Sequence, residues 1–279
     1  MIAILGGLGA AVCFAASTLC SSRSSKLIGS ASVVAWVMLI GLVATVPALL
    51  AARRPDLGGN TALWLVLSGV GNVVGLLVVY AALRIERVGI VAPITSTEGA
   101  VAALIAAVAG EAIGGGTGAA LGAVAVGVVL AGVVRERRAE GHDHRGALLA
   151  LASAGLFGVG LYSTGRVGGA LPIAWAVLPA RAVGVLIVTL PLALASRLRL
   201  TRRALPLVIG SGLAEVGGFA SYAVGARHGI AISAVLAAQF AAVAAVGAYF
   251  IFGERLARLQ IAGVALIIAG VAALTALQG

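Results

Sequence analysis

The sequence predicts an all-α integral membrane protein of ten transmembrane helices, arranged as two inverted five-helix repeats. Hydrophobic residues make up 61% of the chain and charged residues 10%, with a mean hydropathy of +1.15, whereas a soluble domain carries roughly 25% charged residues. Apolar windows of about 20 residues, the length that crosses a hydrocarbon core, are separated by short groups of Arg. Residues 72–134, running through Asn72, Tyr80, Glu98 and Glu111 into a Gly/Ala-rich stretch, are echoed by residues 215–277, through Glu215, Tyr222, Gln239 and Glu254.

Taken in order, Met1-Ile2-Ala3-Ile4-Leu5 enters an apolar run at once. It lacks the basic n-region of a signal peptide and reads as the first span. Windows bounded by Arg, Pro and Gly place the spans at residues 1–20, 31–52, 61–83, 88–108 and 117–134, then 146–164, 174–196, 204–226, 230–252 and 257–277. The chain divides into a first repeat at 1–138, a charged linker at 139–145 and a second repeat at 146–279. Each repeat holds an odd number of spans, so the second sits upside down relative to the first, the layout of many secondary transporters. The spans favour Ala, Gly and Val over Leu, as in Gly71-Asn72-Val73-Val74-Gly75, and small residues let helices approach closely in lipid.

The formal charge of +10 does not indicate nucleic acid, because the Arg residues sit between apolar runs, where membrane proteins keep topological signals. Cys13 and Cys20 are the only cysteines and lie on one helical face, too far apart to bridge. His142 and His144 flank Asp143 in the linker, and two ligands do not close a metal shell. They read as a solvated loop, His228 reads as surface, and no metal or cofactor is expected. Trp36, Trp64 and Trp175 fall near span starts and fit interfacial anchoring.

Polar residues inside the spans are the candidate site. Glu98 falls at the middle of span 4, about 20 Å along the helix from Glu111 at its end, and Glu215 holds the central place in span 8. Their repeat partners are roughly Gln239 and Asn72, so each half brings one acid and one amide to the midplane. On span 8, Glu215, Gly218, Phe219 and Tyr222 share one face; on span 3, Asn72, Gly75 and Leu76 do so, with Tyr80 one turn on. Arg181 lies inside span 7 and needs a counter-ion. Two readings stand for Glu98 and Glu215: contact with a substrate or a coupling proton, or a static pairing through Arg181. Ser17, Thr18, Ser153 and Thr95 are further cavity candidates, although Ser and Thr also bond within their own helix. Glu111 and Glu254 read as helix-end caps.

In each half a Tyr-Ala-Ala or Tyr-Ala-Val ends the third helix, a Gly-Glu ends the fourth, and a fifth helix with spaced glycines follows. Gly110-Glu111-Ala112-Ile113 and Gly253-Glu254-Arg255-Leu256, with Gly263 and Gly270, carry this pattern, and Arg181-Ala182-Val183-Gly184 adds to it. The chain resembles the EamA module of the drug/metabolite transporter superfamily over essentially its whole length. The first copy departs further, lacking the Arg after Gly110-Glu111 and having Val37 near the place of Arg181. The resemblance implies alternating access, with a cavity lined mainly by the first, third and fourth helix of each module.

The expected function is therefore gradient-driven carriage of a small polar or amphipathic metabolite, amino-acid-like or drug-like, in the export direction, with proton coupling through Glu98 or Glu215. A lipid-linked substrate flippase of the same superfamily and a non-transporting sensor or scaffold are the alternatives. No phosphate loop or catalytic constellation supports an enzyme. The chain is expected in the cell (inner or plasma) membrane as a monomer or homodimer, with the bilayer and a small solute as its partners. The Arg/Lys bias between loops places both termini outside, while the resemblance implies both inside.

Overall fold

The computed structural model describes residues 1–53, 55, 58–85, 91, 94–132, 144–252 and 258–278. Among the described residues the chain is helical, with no strand. Helices α1 (Ile2–Ile28) and α2 (Ser30–Ala51) are joined by Gly29 alone, whose φ of 83° suits glycine. There follow α3 (Gly59–Ile85), α4 (Glu98–Val108), α5 (Gly115–Gly132) and α6 (His144–Ala170). Helix α7 (Ile173–Leu194) contains a π-helical stretch at Val185–Thr189. The chain continues through α8 (Leu205–Ala226), α9 (Ile230–Ala237), α10 (Phe240–Phe252) and α11 (Arg258–Gln278). Among the described residues, seven helices are long and apolar enough to cross a membrane: α1, α2, α3, α6, α7, α8 and α11. Three shorter apolar segments, Glu98–Val108, Gly115–Ala131 and Ile230–Ala244, accompany them.

These ranges correct the sequence reading in four places. Helix α1 continues past the predicted end at Cys20 to Ile28, so Arg23 and Lys26 ride on its last turns instead of a loop. Ser21–Lys26 contains no Gly or Pro to stop the helix, and long basic side chains reach water from a helix end. Helix α6 likewise starts at His144 and runs through Arg166 to Ala170. The windows predicted at 88–108 and 230–252 are both broken, by turns at Ser96–Thr97 and Ala238–Gln239. Glu98, expected mid-span, thus stands in the first turn of α4. Arg54, Arg87, linker residues 139–143 with His142 and Asp143, and Gly253-Glu254-Arg255-Leu256 lie outside the described residues.

The most extensive pairings are α1 with α8, α3 with α6 and α5 with α11. Lipid tails are as apolar as Leu, so helices there associate by close approach of their backbones. Glycine permits it at each crossing: a Cβ on Gly6 would meet the backbone of Gly225, one on Gly71 that of Gly160, and one on Gly127 that of Gly263. The larger apolar side chains face outward, among them Leu5, Val12, Leu63, Val66 and Leu104.

Contacts also recur at one spacing, the 143 residues that separate Met38 from Arg181. Gly75 faces Phe157 and Gly218 faces Phe14; Gly41 faces Arg181 and Gly184 faces Met38; Gly127 faces Ile267 and Gly270 faces Val124. Ser68 and Thr164 share a hydroxyl hydrogen bond of 2.7 Å, and so do Ser21 and Ser211. Moving one partner forward and the other back by that spacing turns each first contact into the second.

At one end of the bundle Glu111 closes a gap between elements distant in sequence. Its carboxylate accepts the backbone N–H groups of Ile230 and Ala231, each at 3.1 Å. The N-cap residue of α9 is Gly229, which has no side chain to offer, so Glu111 satisfies donors that would otherwise be orphaned. Its recipient is α9, not the following helix.

Two stability experiments follow from these contacts. Gly6→Leu is expected to lower the thermal midpoint in detergent markedly, costing about 1–3 kcal/mol by overpacking, whereas Gly122→Ala, whose added Cβ meets nothing within 4 Å, is neutral or stabilising. Glu111→Ala is expected to cost about 1–2 kcal/mol, and Glu111→Gln, which keeps an acceptor oxygen, clearly less.

Candidate functional site

Residues four apart on a helix lie on one face, which aligns Glu215 with Phe219 on α8 and Asn72 with Leu76 on α3. These four line a cavity of about 280 Å³. Phe14 and Thr18 enter from α1, Met38 from α2 and Val79 from α3. Thr95 and Glu98 enter beside the break ahead of α4, Phe157 and Leu161 from α6, Ala180 and Arg181 from α7, and Phe240 from α10.

Arg181 is the electrostatic centre of this wall. It is fully buried, and its Nη2 donates to Glu215 Oε2 at 2.8 Å. Its guanidinium carbon lies 5.0 Å from the centroid of the Phe219 ring, a cation–π contact. Nη1 reaches the Met38 thioether at 3.4 Å, a weak acceptor, and Nε has no partner. A lone charge at this depth is costly, and the pairing offsets that cost while leaving part of the guanidinium's donor capacity unused. The Glu215 side chain is 26% exposed, so the pair is open to the cavity. Among the described residues Glu98 has no ion-pair partner.

The structure brings together Glu98, Glu215, Asn72, Arg181, Thr18, Thr95 and Phe219 from the sequence candidates. The other five stand behind the wall. Tyr222 is fully buried and donates its hydroxyl to the Leu161 carbonyl at 2.8 Å, tying α8 to α6. Tyr80 packs in an apolar cluster with Val34, Met38 and Val73. Ser153 donates to the Gly75 carbonyl at 3.0 Å, and Ser17 bonds Ser211 at 2.8 Å with a longer reach of 3.5 Å to Glu215. Gln239 is 3% exposed. Tyr222, Ser153 and Ser17 are engaged in contacts between helices, which the face of a single helix does not reveal.

Sequence reading missed Phe14, Phe157, Phe240 and Met38. For Phe14, Phe157 and Met38 the missing signal lay in the 143-residue spacing of the recurring contacts; Phe240 has no lining partner at that spacing. Five pairs of lining residues stand at it: Phe14 with Phe157, Thr18 with Leu161, Met38 with Arg181, Asn72 with Glu215, and Leu76 with Phe219. The charged members, Arg181 and Glu215, both belong to the later copy. Near the helix breaks, Thr95 Oγ1 and Gln239 Nε2 are buried without a partner. The result is an aromatic chamber with an ionic wall, suited to a solute with one polar and one apolar end.

Residues 1–133 match the EamA-like transporter family. The match covers slightly less than half of the chain, and the EamA-like family belongs to the drug/metabolite transporter superfamily. EamA-like proteins are transporters, and with its apolar helices this one is a multi-pass membrane protein. Among solved structures, a crystal structure of a protein is similar with a TM-score of 0.76 and 19% identity, covering 99% of this chain and 96% of its own. At that identity the likeness concerns the fold alone. No curated protein matches the chain.

The ion pair predicts a pattern of stabilities. Arg181→Met should destabilise the bundle by roughly 3 kcal/mol, because it strands Glu215. Arg181→Met with Glu215→Asn copies the residues at Met38 and Asn72, and should recover most of that loss. A double variant no more stable in thermal unfolding than Arg181→Met would refute this account of the pair.

Proposed function

We propose that this protein is a gradient-driven secondary carrier of a small polar or amphipathic metabolite, working by alternating access in the plasma membrane, with export as its expected direction. Residues 1–138 and 146–279 form two inverted five-helix repeats joined by the linker at 139–145. The contacts that recur at one spacing support the repeat, and an odd number of spans in each copy inverts the second. The observation that carries the reading is the cavity between two interrupted helical segments, broken at Ser96–Thr97 and Ala238–Gln239. Discontinuous helices at mid-membrane are where secondary carriers build their sites, because the freed backbone and side-chain groups line a cavity instead of meeting lipid.

The chamber's size and lining set the substrate class. Its volume lies at the lower end of small-molecule sites, which favours solutes of amino-acid or small-drug size. Phe14, Phe157, Phe219 and Phe240 receive an apolar body, while Arg181, Glu215, Glu98 and Asn72 hold a polar end. Glu98 or Glu215 carries the coupling proton: protonation removes the cost of moving an unpaired charge through a cavity closed to water. Because Glu215 is already held by Arg181, Glu98 is the acid whose charge has no internal compensation.

Solute flux in proteoliposomes, with and without an imposed pH gradient, tests this reading on the wild type, Glu98→Gln and Glu215→Gln. The expected outcome is gradient-driven flux of amphipathic solutes that Glu98→Gln reduces at least tenfold, with exchange of solute for solute retained. Gradient response equal to wild type in both variants removes proton coupling and leaves the carrier standing. Absence of any solute flux or exchange in the wild type refutes the carrier.

A further inference from the structure

We infer a second, separate site, for a phosphate-bearing anion, in a notch of about 400 Å³ at the ends of α3, α6 and α8. Asn60, Thr61 and Trp64 come from the first turns of α3, Arg166 from the end of α6, and Arg227 from the turn after α8. The notch shares no lining residue with the chamber around Arg181.

Three donor-bearing side chains line it, and none of its described lining residues is acidic. Arg227 is fixed in place, its Nε donating to the Gly168 carbonyl at 2.6 Å and its Nη2 to the Leu171 carbonyl at 3.0 Å. That leaves Nη1 unspent. Arg166 stacks over Trp64, its guanidinium carbon 5.9 Å from the ring centroid. Neither Arg has a carboxylate partner among the described residues. The third donor is the Trp64 indole N–H, buried with no hydrogen-bond partner. A buried indole N–H ordinarily finds an acceptor, as that of Trp36 does in the Arg199 carbonyl at 2.9 Å. Trp175 has an unpartnered indole N–H too, but it lines no such basic notch.

Two guanidinium groups and an orphaned N–H beside Asn60 and Thr61 ask for an oxyanion with several acceptor oxygens, and a phosphate supplies them. The level of the notch favours a membrane lipid as its source. Helices α3, α6 and α8 all end there, where acyl chains give way to headgroups, and basic pockets between helix ends hold anionic headgroups. Leu63 and Val66, on the same stretch of α3, are 52% and 57% exposed and offer an apolar surface to the acyl chains below. A soluble phosphate ester would use the same donors.

Native mass spectrometry of the full-length protein in detergent, titrated with phosphatidylglycerol, phosphatidylcholine or glycerol 3-phosphate, tests the site. Phosphatidylglycerol is expected to bind about tenfold more tightly than phosphatidylcholine. Arg166→Gln should weaken it about tenfold, as loss of a charge-assisted hydrogen bond does, and Arg166→Lys should lose less. Trp64→Phe, which keeps the ring and removes the N–H, should weaken binding several-fold. Competition by glycerol 3-phosphate supports the anion site and assigns its ligand to the aqueous phase; binding confined to phosphatidylglycerol supports it and assigns the ligand to the bilayer. Equal binding of the two lipids with none of glycerol 3-phosphate, or wild-type binding by both Arg166→Gln and Trp64→Phe, overturns the inference.

Discussion

Hydrocarbon offers helices no hydrophobic gain for associating, so this bundle depends on backbones coming close enough for dispersion contact over residues with little or no side chain. The crossings of α1 with α8, α3 with α6 and α5 with α11 each place a glycine where a Cβ would strike backbone. The same device shapes the interior. Gly218 and Gly75 make room for Phe14 and Phe157, and Gly41 and Gly184 for Arg181 and Met38. Glycine therefore holds the helices together at some levels and admits the lining side chains of the chamber at another.

The second constraint is charge. A guanidinium with no exposure persists inside a membrane protein only with a partner, and Glu215 provides it from the neighbouring helix. Met38, which stands at the equivalent place in the earlier copy, touches Arg181 directly. In the proposed arrangement a residue in contact with its own counterpart lies where the two copies meet. The ionic wall therefore sits near the centre of the bundle, while its neutral twin, Met38 with Asn72, faces it. On the proposed repeat, the two copies carry different chemistry on the two sides of one cavity, and the proposed amphipathic solute would have a preferred orientation in it.

Much of the fold was legible in the sequence because the solvent dictates it. Few charged residues and long apolar windows leave helices as the means of satisfying the backbone in lipid, and most span positions came out within a few residues. The misses have local causes. Polar residues after Cys20 hid the extension of α1, since a helix end reaching into water needs no apolar side chains. The breaks at Ser96–Thr97 and Ala238–Gln239 lie inside windows read as continuous for their hydropathy; Pro93 and Gly99 flank the first break and were passed over, whereas no Gly or Pro stands near the second. For the candidate site, the unusual residues Glu98, Glu215 and Arg181 were visible by their charge alone, whereas Phe14, Phe157 and Phe240 looked like any lipid-facing aromatic.

The sequence by itself determined the solvent, the helical class and the inventory of costly polar groups, since each follows from composition and spacing along one chain. Tertiary structure decided which of those groups meet. Helical periodicity relates residues on one helix but leaves open how far that helix is turned about its axis and which neighbour it faces. That rotation set Glu215 on Arg181, turned the Tyr222 hydroxyl away to Leu161 and sent the Glu111 carboxylate to the start of α9, through contacts between residues far apart in the chain.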